Sequence, residues 1–357
     1  MIFVTHSIGG HMSFHFIKDQ DFADFLTDLI RAKIVVGPVA KTSRQQEKFV
    51  FARLTRVQDL RLDYDVTILP PKKEFFPAKQ DLLRFDGPRV KACLEPVEKV
   101  LFGVHFYDVK ALDMTDALFK EKNEDRNYTA HREAATIVVS NIRKVCPRAF
   151  WASIGAEVKP RGHDAWLTQI VGGCVFETGT LKGEALLKFG RFSEASADQV
   201  AAARRANEDM GKQCLEQLKG TSASNAKKVR AAFGKEELWT KFAEDCFSCG
   251  SCNTVCPTCY CFDVQDWWNI DQKSGARTRT WDACLTEDFA KISLGAGAAE
   301  NFREERAERF RHRFMRKAAY LNEKLGGPAC VGCGRCSAAC TADIADPTTV
   351  INSIPEA

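Results

Sequence analysis

Residues 246–256 read CFSCGSCNTVC, and residues 330–340 read CVGCGRCSAAC. Both stretches follow the pattern C-x₂-C-x₂-C-x₃-C, so each has three cysteines at every third residue and a fourth cysteine four residues later. Zinc sites use separated cysteine pairs around one tetrahedral ion, which would leave the third cysteine of each run surplus. Disulfide frameworks occur in short, cysteine-dense secreted chains, whereas this chain has 15 cysteines among 357 residues. Neither explanation accounts for two matching runs.

The spacing of both runs is that of cysteines that bind two [4Fe–4S] clusters, in which the fourth cysteine of one run ligates the cluster of the other run. By this rule the ligands of cluster 1 are predicted to be Cys246, Cys249, Cys252 and Cys340. The ligands of cluster 2 are predicted to be Cys330, Cys333, Cys336 and Cys256. The spacing therefore predicts an electron carrier with two [4Fe–4S] clusters.

Composition and charge argue against several classes of protein. A net charge of +4 without a block of Lys or Arg gives no support for nucleic-acid binding. No run of 18 apolar residues occurs, so no membrane span is expected. The opening residues 1–16 lack the basic start and cleavage site of an export signal. Together with thiolate-bound clusters and several spare thiols, this favours a cytoplasmic protein.

Hydrophobic patterning predicts an α+β protein with three parts. Residues 20–33 have apolar side chains at helical spacing, β-rich runs lie at 34–39, 48–54, 100–104 and 135–139, and a helical pattern covers 108–119. This order predicts an N-terminal α/β domain over residues 1–190. Residues 191–245 are predicted to form a connector of two helices separated by a break at 220–224. Residues 246–357 are predicted to form a mainly helical, two-cluster ferredoxin-like domain.

The segment 301–325 combines an apolar helical face with six arginines at positions 303, 306, 309, 311, 313 and 316. One interpretation is a solvated face that pairs with nearby glutamates. The other is that these cations raise the reduction potential of a cluster or dock an acidic partner. The sequence leaves both open.

Taken together, CFSCGSCNTVCPTCYCFDVQDW at 246–267, RTRTWDAC at 277–284 and GGPACVGCGRC at 326–336 resemble the iron–sulfur β subunit of soluble NiFe hydrogenases (sulfhydrogenases) and the corresponding iron–sulfur subunit of anaerobic sulfite reductase. The similarity continues upstream through residues 64–67, LPPKKEFF at 69–76, VLFGVHFYDVKAL at 100–112 and FETGTLKG at 176–183. It therefore covers most of the chain.

The resemblance implies a subunit of an oxidoreductase complex. Such a subunit relays electrons between a flavoprotein subunit, which binds FAD and NAD(P)H, and a terminal redox catalytic subunit of hydrogenase, sulfite reductase or heterodisulfide-reductase type. The chain itself shows no G-x-G-x-x-G or phosphate-binding loop, and no catalytic residues are expected. The alternative is a self-contained flavin-dependent iron–sulfur reductase, because flavin sites often lack a sequence signature.

The chain departs from this family at the ligands of a third cluster in the α/β domain. The four cysteine positions are occupied here by Tyr107, Ile142, Ala149 and Trp151. Losing a full ligand set predicts that this domain holds no cluster and serves as a structural or docking module. The nearby Cys146 is interpreted as a buried small hydrophobe, and His105 as a core or surface residue. A smaller departure is Thr341, which stands where a proline is usual.

Six further cysteines lie outside both runs. Cys259, Cys261 and Cys284 are interpreted as packing beside the clusters, where S–H groups can tune cluster sulfurs. A further metal centre is the alternative, although these residues supply only three ligands. Cys93, Cys174 and Cys214 are isolated in the sequence and are interpreted as structural.

Overall fold

The computed structural model describes residues 13–43, 46–154 and 161–356. Residues 1–12, on which the expectation about an export signal largely rests, lie outside this range. In the described part of the chain, no helix has both the length and the apolar character needed to cross a membrane.

The chain contains both helices and strands, as the sequence predicted for an α+β protein. Up to residue 194 the elements are β1 (Ser13–Lys18), α1 (Asp19–Ala32), β2 (Val35–Ser43), β3 (Gln46–Arg53), β4 (Lys79–Asp86), β5 (Arg89–Ala92), β6 (Lys99–Val104), α2 (Phe106–Phe119), α3 (Arg126–Ala134), β7 (Ala135–Ser140), β8 (Ala165–Ile170), β9 (Gly173–Thr178), α4 (Leu181–Glu184) and β10 (Ser193–Glu194). The later elements are α5 (Ala197–Asp209), α6 (Ser222–Ala231), α7 (Glu236–Ala243), α8 (Ser251–Thr254), β11 (Phe262–Trp268), β12 (Ser274–Trp281), β13 (Lys291–Gly295), β14 (Ala298–Asn301), α9 (Arg306–Met315), α10 (Asn322–Leu325), α11 (Arg335–Ala339) and α12 (Pro347–Ser353). Short 3₁₀ turns lie at Val57–Asp59, Pro71–Glu74, Trp151–Ser153, Leu187–Phe189, Met210–Gln213 and Asp288–Ala290, and a π turn covers Arg316–Tyr320.

The largest sheet among the described residues has the strand order β10-β1-β9-β8-β7-β6-β2-β3. Its centre is parallel, because β2, β6, β7 and β8 pair in the same direction. Successive residues such as Val100 and Leu101 face two different cores, which is why these strands are apolar on both sides. Helix α1 covers one face with Phe25, and α2 covers the other with Leu112.

The segment that follows this sheet differs from its sequence prediction in two ways. Strand β10 pairs with β1 at Ser193 and Glu194, so the sheet extends past residue 190. Three α-helices, α5, α6 and α7, occupy 191–245 where two were predicted. The break near Gly220 is present as predicted, but a second break at Gly234 separates α6 from α7. A glycine inside a helical pattern weakens the helix and explains this break.

The region between the two cysteine runs is not wholly helical. Strands β11 and β12 form a hairpin that continues as the antiparallel sheet β11-β12-β4-β5. In this sheet Thr278 of β12 lies opposite Asp81 of β4 and hydrogen-bonds to its carboxylate at 2.8 Å. The sheet joins two segments that are far apart in the sequence, so the cysteine-rich segment and the N-terminal part share backbone pairing. The prediction of a mainly helical cluster domain missed these strands and the β13–β14 hairpin.

The second cysteine run is anchored to the N-terminal part by a buried ion pair. The Arg335 guanidinium donates hydrogen bonds of 2.6 and 2.7 Å to the Asp108 carboxylate at the start of α2. It also donates to the carbonyl and the hydroxyl oxygen of Thr67 at 2.9 and 3.0 Å. Both side chains of the ion pair are 1% exposed, so each charge depends on the other for compensation.

We predict that Asp108→Asn lowers the free energy of unfolding by about 3 kcal/mol, because it leaves the buried Arg335 charge uncompensated. Urea denaturation of the anaerobic protein measures this change. The matched control is Asp343→Asn, which breaks the exposed ion pair with Arg148 and should cost less than about 1 kcal/mol. Equal losses for the two variants would contradict the anchoring role of Asp108.

Candidate metal centres

The two cysteine runs adopt the same local backbone. The residue before the second cysteine has positive φ in both, at Ser248 (53°) and Gly332 (64°). The glycine after that cysteine is also left-handed, at Gly250 (71°) and Gly334 (81°). A short helix, α8 or α11, then carries the third cysteine. The two cysteine runs therefore share one loop conformation that leads into a short helix.

The structure brings one complete predicted ligand set together. The four predicted ligands of cluster 2, which are Cys256, Cys330, Cys333 and Cys336, are among the residues that line one small cavity. Cys256 therefore lies with the second run although it belongs to the first run in the sequence. Burial raises the pKa of Cys330 and of Cys333, and the charge of Cys256 raises both pKa values further.

The predicted ligands of cluster 1 lie beside the adjoining helical core. Cys252 is buried in this core, and Cys246 and Cys340 pack at its margin. Cys249 is exposed, and its Sγ lies 3.3 Å from the Ser251 hydroxyl. Cys340 and Cys336 of the second run thus pack in or against the same core as Cys246 and Cys252 of the first run, so this core includes predicted ligands of both clusters.

Three basic residues at i, i+4 and i+8 lie on one helical face beside the first cysteine run. Arg309 donates to the Ser248 hydroxyl at 3.4 Å. Arg313 donates from Nε to Cys252 Sγ at 3.3 Å. Lys317 donates to the Thr258 hydroxyl at 2.6 Å, and that hydroxyl lies 3.3 Å from Cys256 Sγ.

All three of these basic side chains are at most 9% exposed. The interpretation of the segment as a solvated face is therefore wrong for Arg309 and Arg313. The regular four-residue spacing was the sequence signal that could have identified them, because it places them in one row beside Phe310, Phe314 and Ala318 of the core.

A fourth buried cation, Lys72, comes from the N-terminal part and was not singled out from the sequence. Its ammonium group donates to the carbonyls of Cys256 and Cys259 at 3.0 and 2.6 Å and lies 4.2 Å from the Trp281 ring centroid. Burial lowers the pKa of Lys72 to about 8, although the nearby thiols of Cys259 and Cys256 oppose this shift. An anionic group held by these cysteines would stabilise the charged lysine.

The ionisation of the thiols follows the same electrostatics. Burial raises the pKa of Cys252 to about 11, against the effect of Arg313. The pKa of Cys256 lies well below its usual value, because Cys259 hydrogen-bonds to it and the cations Lys317 and Arg313 are close. Ligand thiols must lose their protons to bind metal. Thiol ligands among buried cations therefore fit an iron–sulfur cluster, whose thiolate-ligated form is an anion.

The four positions at which the sequence departs from the family pattern belong to one core. Tyr107, Ile142, Ala149 and Trp151 pack together with Cys146, and this core continues into Val331 and Cys333 of the second cysteine run. Cys146 is 4% exposed, which agrees with its interpretation as a small hydrophobe.

His105 is also a core residue. Its ring stacks on Tyr64 with a centroid distance of 3.9 Å, and its Nδ1 lies 2.7 Å from the Tyr107 hydroxyl. Burial lowers the pKa of His105 well below its usual value, so the ring is neutral. A neutral stacked histidine with this hydroxyl partner is part of the packing around Tyr107.

The unassigned thiols Cys259, Cys261 and Cys284 line a second cavity next to that of cluster 2. The Cys261 and Cys284 thiols hydrogen-bond to each other, and Asn253 donates to Cys284 Sγ at 2.9 Å. In the described part of the chain, no three His, Cys, Asp or Glu side chains are grouped to hold a single metal ion, and this applies to these three thiols and to the predicted cluster ligands alike. This arrangement favours packing beside the clusters. Cys174 is buried, whereas Cys93 and Cys214 are half-buried.

Comparison with known proteins agrees with this geometry. A family model described as a 4Fe-4S dicluster domain matches residues 245–344. Subunit beta of sulfhydrogenase 2 from Pyrococcus furiosus is 30% identical over 342 residues, which cover 92% of this chain and 94% of the relative. No solved structure matches the chain. The similarity to a sulfhydrogenase subunit thus extends over nearly the full length of both proteins.

The glycines of the second run give a test of how tightly it is packed. At Gly334 a Cβ atom would lie 2.7 Å from the backbone of Arg148. Gly326 also has positive φ, but a Cβ there would meet no atom within 4 Å. We predict that Gly326→Ala costs about 1 kcal/mol of backbone strain. Gly334→Ala should cost about 1–3 kcal/mol more because of overpacking, as measured by anaerobic urea denaturation. Equal costs for the two variants would show that the backbone of Arg148 moves aside for the added methyl group without a loss of stability.

Proposed function

Because this chain belongs to the family of iron–sulfur hydrogenase β subunits, we propose that it relays electrons within a multisubunit oxidoreductase. The donor or acceptor on one side is a flavoprotein subunit that binds FAD and NAD(P)H. On the other side is a terminal redox subunit of hydrogenase, sulfite reductase or heterodisulfide-reductase type. The chain supplies the electron path and no catalytic residues.

We assign the cluster ligands by the crossed rule. Cluster 1 takes Cys246, Cys249, Cys252 and Cys340, and cluster 2 takes Cys330, Cys333, Cys336 and Cys256. The observation that carries the assignment is the cavity shared by Cys256 and the first three cysteines of the second run. The bound clusters supply one-electron redox chemistry.

The basic residues around these ligands place positive charge and hydrogen-bond donors next to defined atoms of the cysteine loops. Arg313 directs Nε–H at the Cys252 sulfur, and Lys72 fixes the loop that carries Cys256 by binding its carbonyl. Positive charge and hydrogen bonds at the sulfurs stabilise a reduced cluster more than an oxidised one, which raises the reduction potential. The buried residues therefore set the potential, while the loops set the ligand geometry.

We predict about eight irons and eight inorganic sulfides per chain in protein purified anaerobically, as two [4Fe–4S] clusters require. Cys256→Ala should lower both counts by about half, because cluster 2 loses a ligand. Cys259→Ala is the matched control on the same loop and should keep the full count. A count near twelve in the unmodified chain would indicate a third cluster. Iron loss in Cys259→Ala but not in Cys256→Ala would overturn the assignment of Cys256.

The relay function predicts dependence on a partner for reduction by nicotinamides. The isolated chain should be reduced by dithionite but not by NADH or NADPH, and one of these should become effective when the flavoprotein subunit is present. Absorption and EPR spectra follow the cluster signals. Rapid reduction of the isolated chain by NADH, together with a flavin band, would instead support a self-contained flavin-dependent iron–sulfur reductase.

A further inference from the structure

The three thiols outside the cysteine runs that line one cavity make two separate contacts. Cys259 hydrogen-bonds to Cys256, a predicted ligand of cluster 2. Cys261 and Cys284 instead hydrogen-bond to each other, and both line the same cavity. Neither of these two thiols is a predicted cluster ligand. Cys261 and Cys284 therefore form a dithiol pair that the proposed electron relay does not use.

The backbone holds this pair at one end of the β11–β12 hairpin. Phe262 lies opposite Trp281 in the hairpin, and the next N–H along, that of Asp282, donates to the Cys261 carbonyl at 3.0 Å. The backbone of Cys284 also hydrogen-bonds to the Cys261 thiol. A disulfide between the two sulfurs would thus join segments that the hairpin already holds side by side.

The surroundings of the pair favour a thiolate, which is the reactive form of cysteine. The hydrogen bond with Cys261 lowers the pKa of Cys284, and Asn253, Arg313 and Lys317 act in the same direction against the effect of burial. The Asn253 amide nitrogen donates to the Cys284 sulfur at 2.9 Å. One proton shared between two sulfurs therefore leaves negative charge on Cys284.

The two thiols differ in their access to solvent. Cys261 is half-buried, whereas Cys284 is buried. A reagent from solvent therefore meets Cys261 first, and Cys284 is placed to react with whatever Cys261 has bound. Because the second thiol is buried, the reagent has to be a small molecule.

We propose that Cys261 and Cys284 form a redox-active dithiol site whose substrate is a low-molecular-weight disulfide, RSSR. The Cys261 sulfur attacks one sulfur of RSSR while its proton passes to the Cys284 thiolate, and RS⁻ leaves. Cys284 then attacks the Cys261 sulfur of this mixed disulfide, and its proton leaves with the second RS group as RSH. The substrate gains two electrons and the pair loses two. An excess of RSH reverses both steps.

Asn253 connects this dithiol site to cluster 1. Its amide nitrogen donates to Cys284 Sγ at 2.9 Å, and its amide oxygen lies 3.5 Å from Cys252 Sγ. Asn253 is 1% exposed, so its amide depends on protein groups for hydrogen bonds. Disulfide formation removes the negative charge from its acceptor Cys284, which changes the hydrogen bonding next to the Cys252 sulfur. This effect rests on the proposed assignment of Cys252 to cluster 1.

The test uses the full chain with its clusters, purified anaerobically, and hydroxyethyl disulfide as the probe. After an acid quench and alkylation, peptide mass spectrometry measures the internal Cys261–Cys284 disulfide and the hydroxyethyl adducts on each thiol. Iron analysis and resonance Raman spectra of the oxidised clusters are taken from the same samples before the quench. The variant is Cys284→Ser. The control is Cys93→Ser, because Cys93 is also half-buried but is isolated in the sequence.

We expect the internal disulfide to form at least tenfold faster than adducts on Cys93 or Cys214, without loss of iron, and mercaptoethanol to reverse it. Cys284→Ser should stop at a hydroxyethyl adduct on Cys261, whereas Cys93→Ser should form the internal disulfide as the unmodified chain does. The iron–thiolate stretching bands should shift when the disulfide forms, and this shift should be absent in Cys284→Ser.

Three other results would count against these expectations. The dithiol site is refuted if no internal disulfide forms, or if the disulfide appears only as iron is lost. Unchanged iron–thiolate bands in a fully oxidised pair would refute the link through Asn253. An iron count well below about eight per chain before the probe is added would instead refute the proposed cluster assignment, whereas the dithiol chemistry does not depend on that count.

Discussion

The constraint on which this structure depends is the burial of positive charge around cysteine thiols. Lys72, Arg309, Arg313 and Lys317 direct their hydrogen bonds to carbonyl, hydroxyl and thiol groups rather than to carboxylates. A buried cation without an anionic partner is strongly unfavourable. A negatively charged group held by the thiols would compensate these buried cations and stabilise the packing of the helical core, the cysteine loops and Lys72.

A further buried cation in the cysteine-rich part of the chain is compensated by a carboxylate instead. Arg335 lies between two predicted ligands of cluster 2, yet its charge is compensated by Asp108 and by Thr67. Arg335 thus joins the second cysteine run to α2. Beside it, Tyr107 and Trp151 pack in one core that also includes Cys333 of the second cysteine run.

The sequence predicted those features that depend on local spacing. Cysteine periodicity indicated the two runs, and apolar periodicity gave α1, α2 and the strands β3, β6 and β7 to within about two residues, whereas β2 extends four residues beyond its predicted end. What it missed depends on tertiary contacts. Arg313 resembles a surface arginine until its helix packs against Cys252, and β11–β12 lacks a clear alternation because most of its first strand is exposed. Lys72 carries no local signal at all, because its role depends on a loop that is distant in sequence.

The four-stranded sheet also determines the order in which the chain can fold during synthesis. Strand β4 ends at Asp86, but its partner β12 ends at Trp281. At roughly 5–20 residues per second, a ribosome needs on the order of 10–40 s to make the chain between them. During that interval one edge of the β4–β5 hairpin has no native strand beside it, which is a situation that favours non-native pairing. The nascent chain therefore passes through a vulnerable period that ends only after β12, and with it the first cysteine run, has been synthesised.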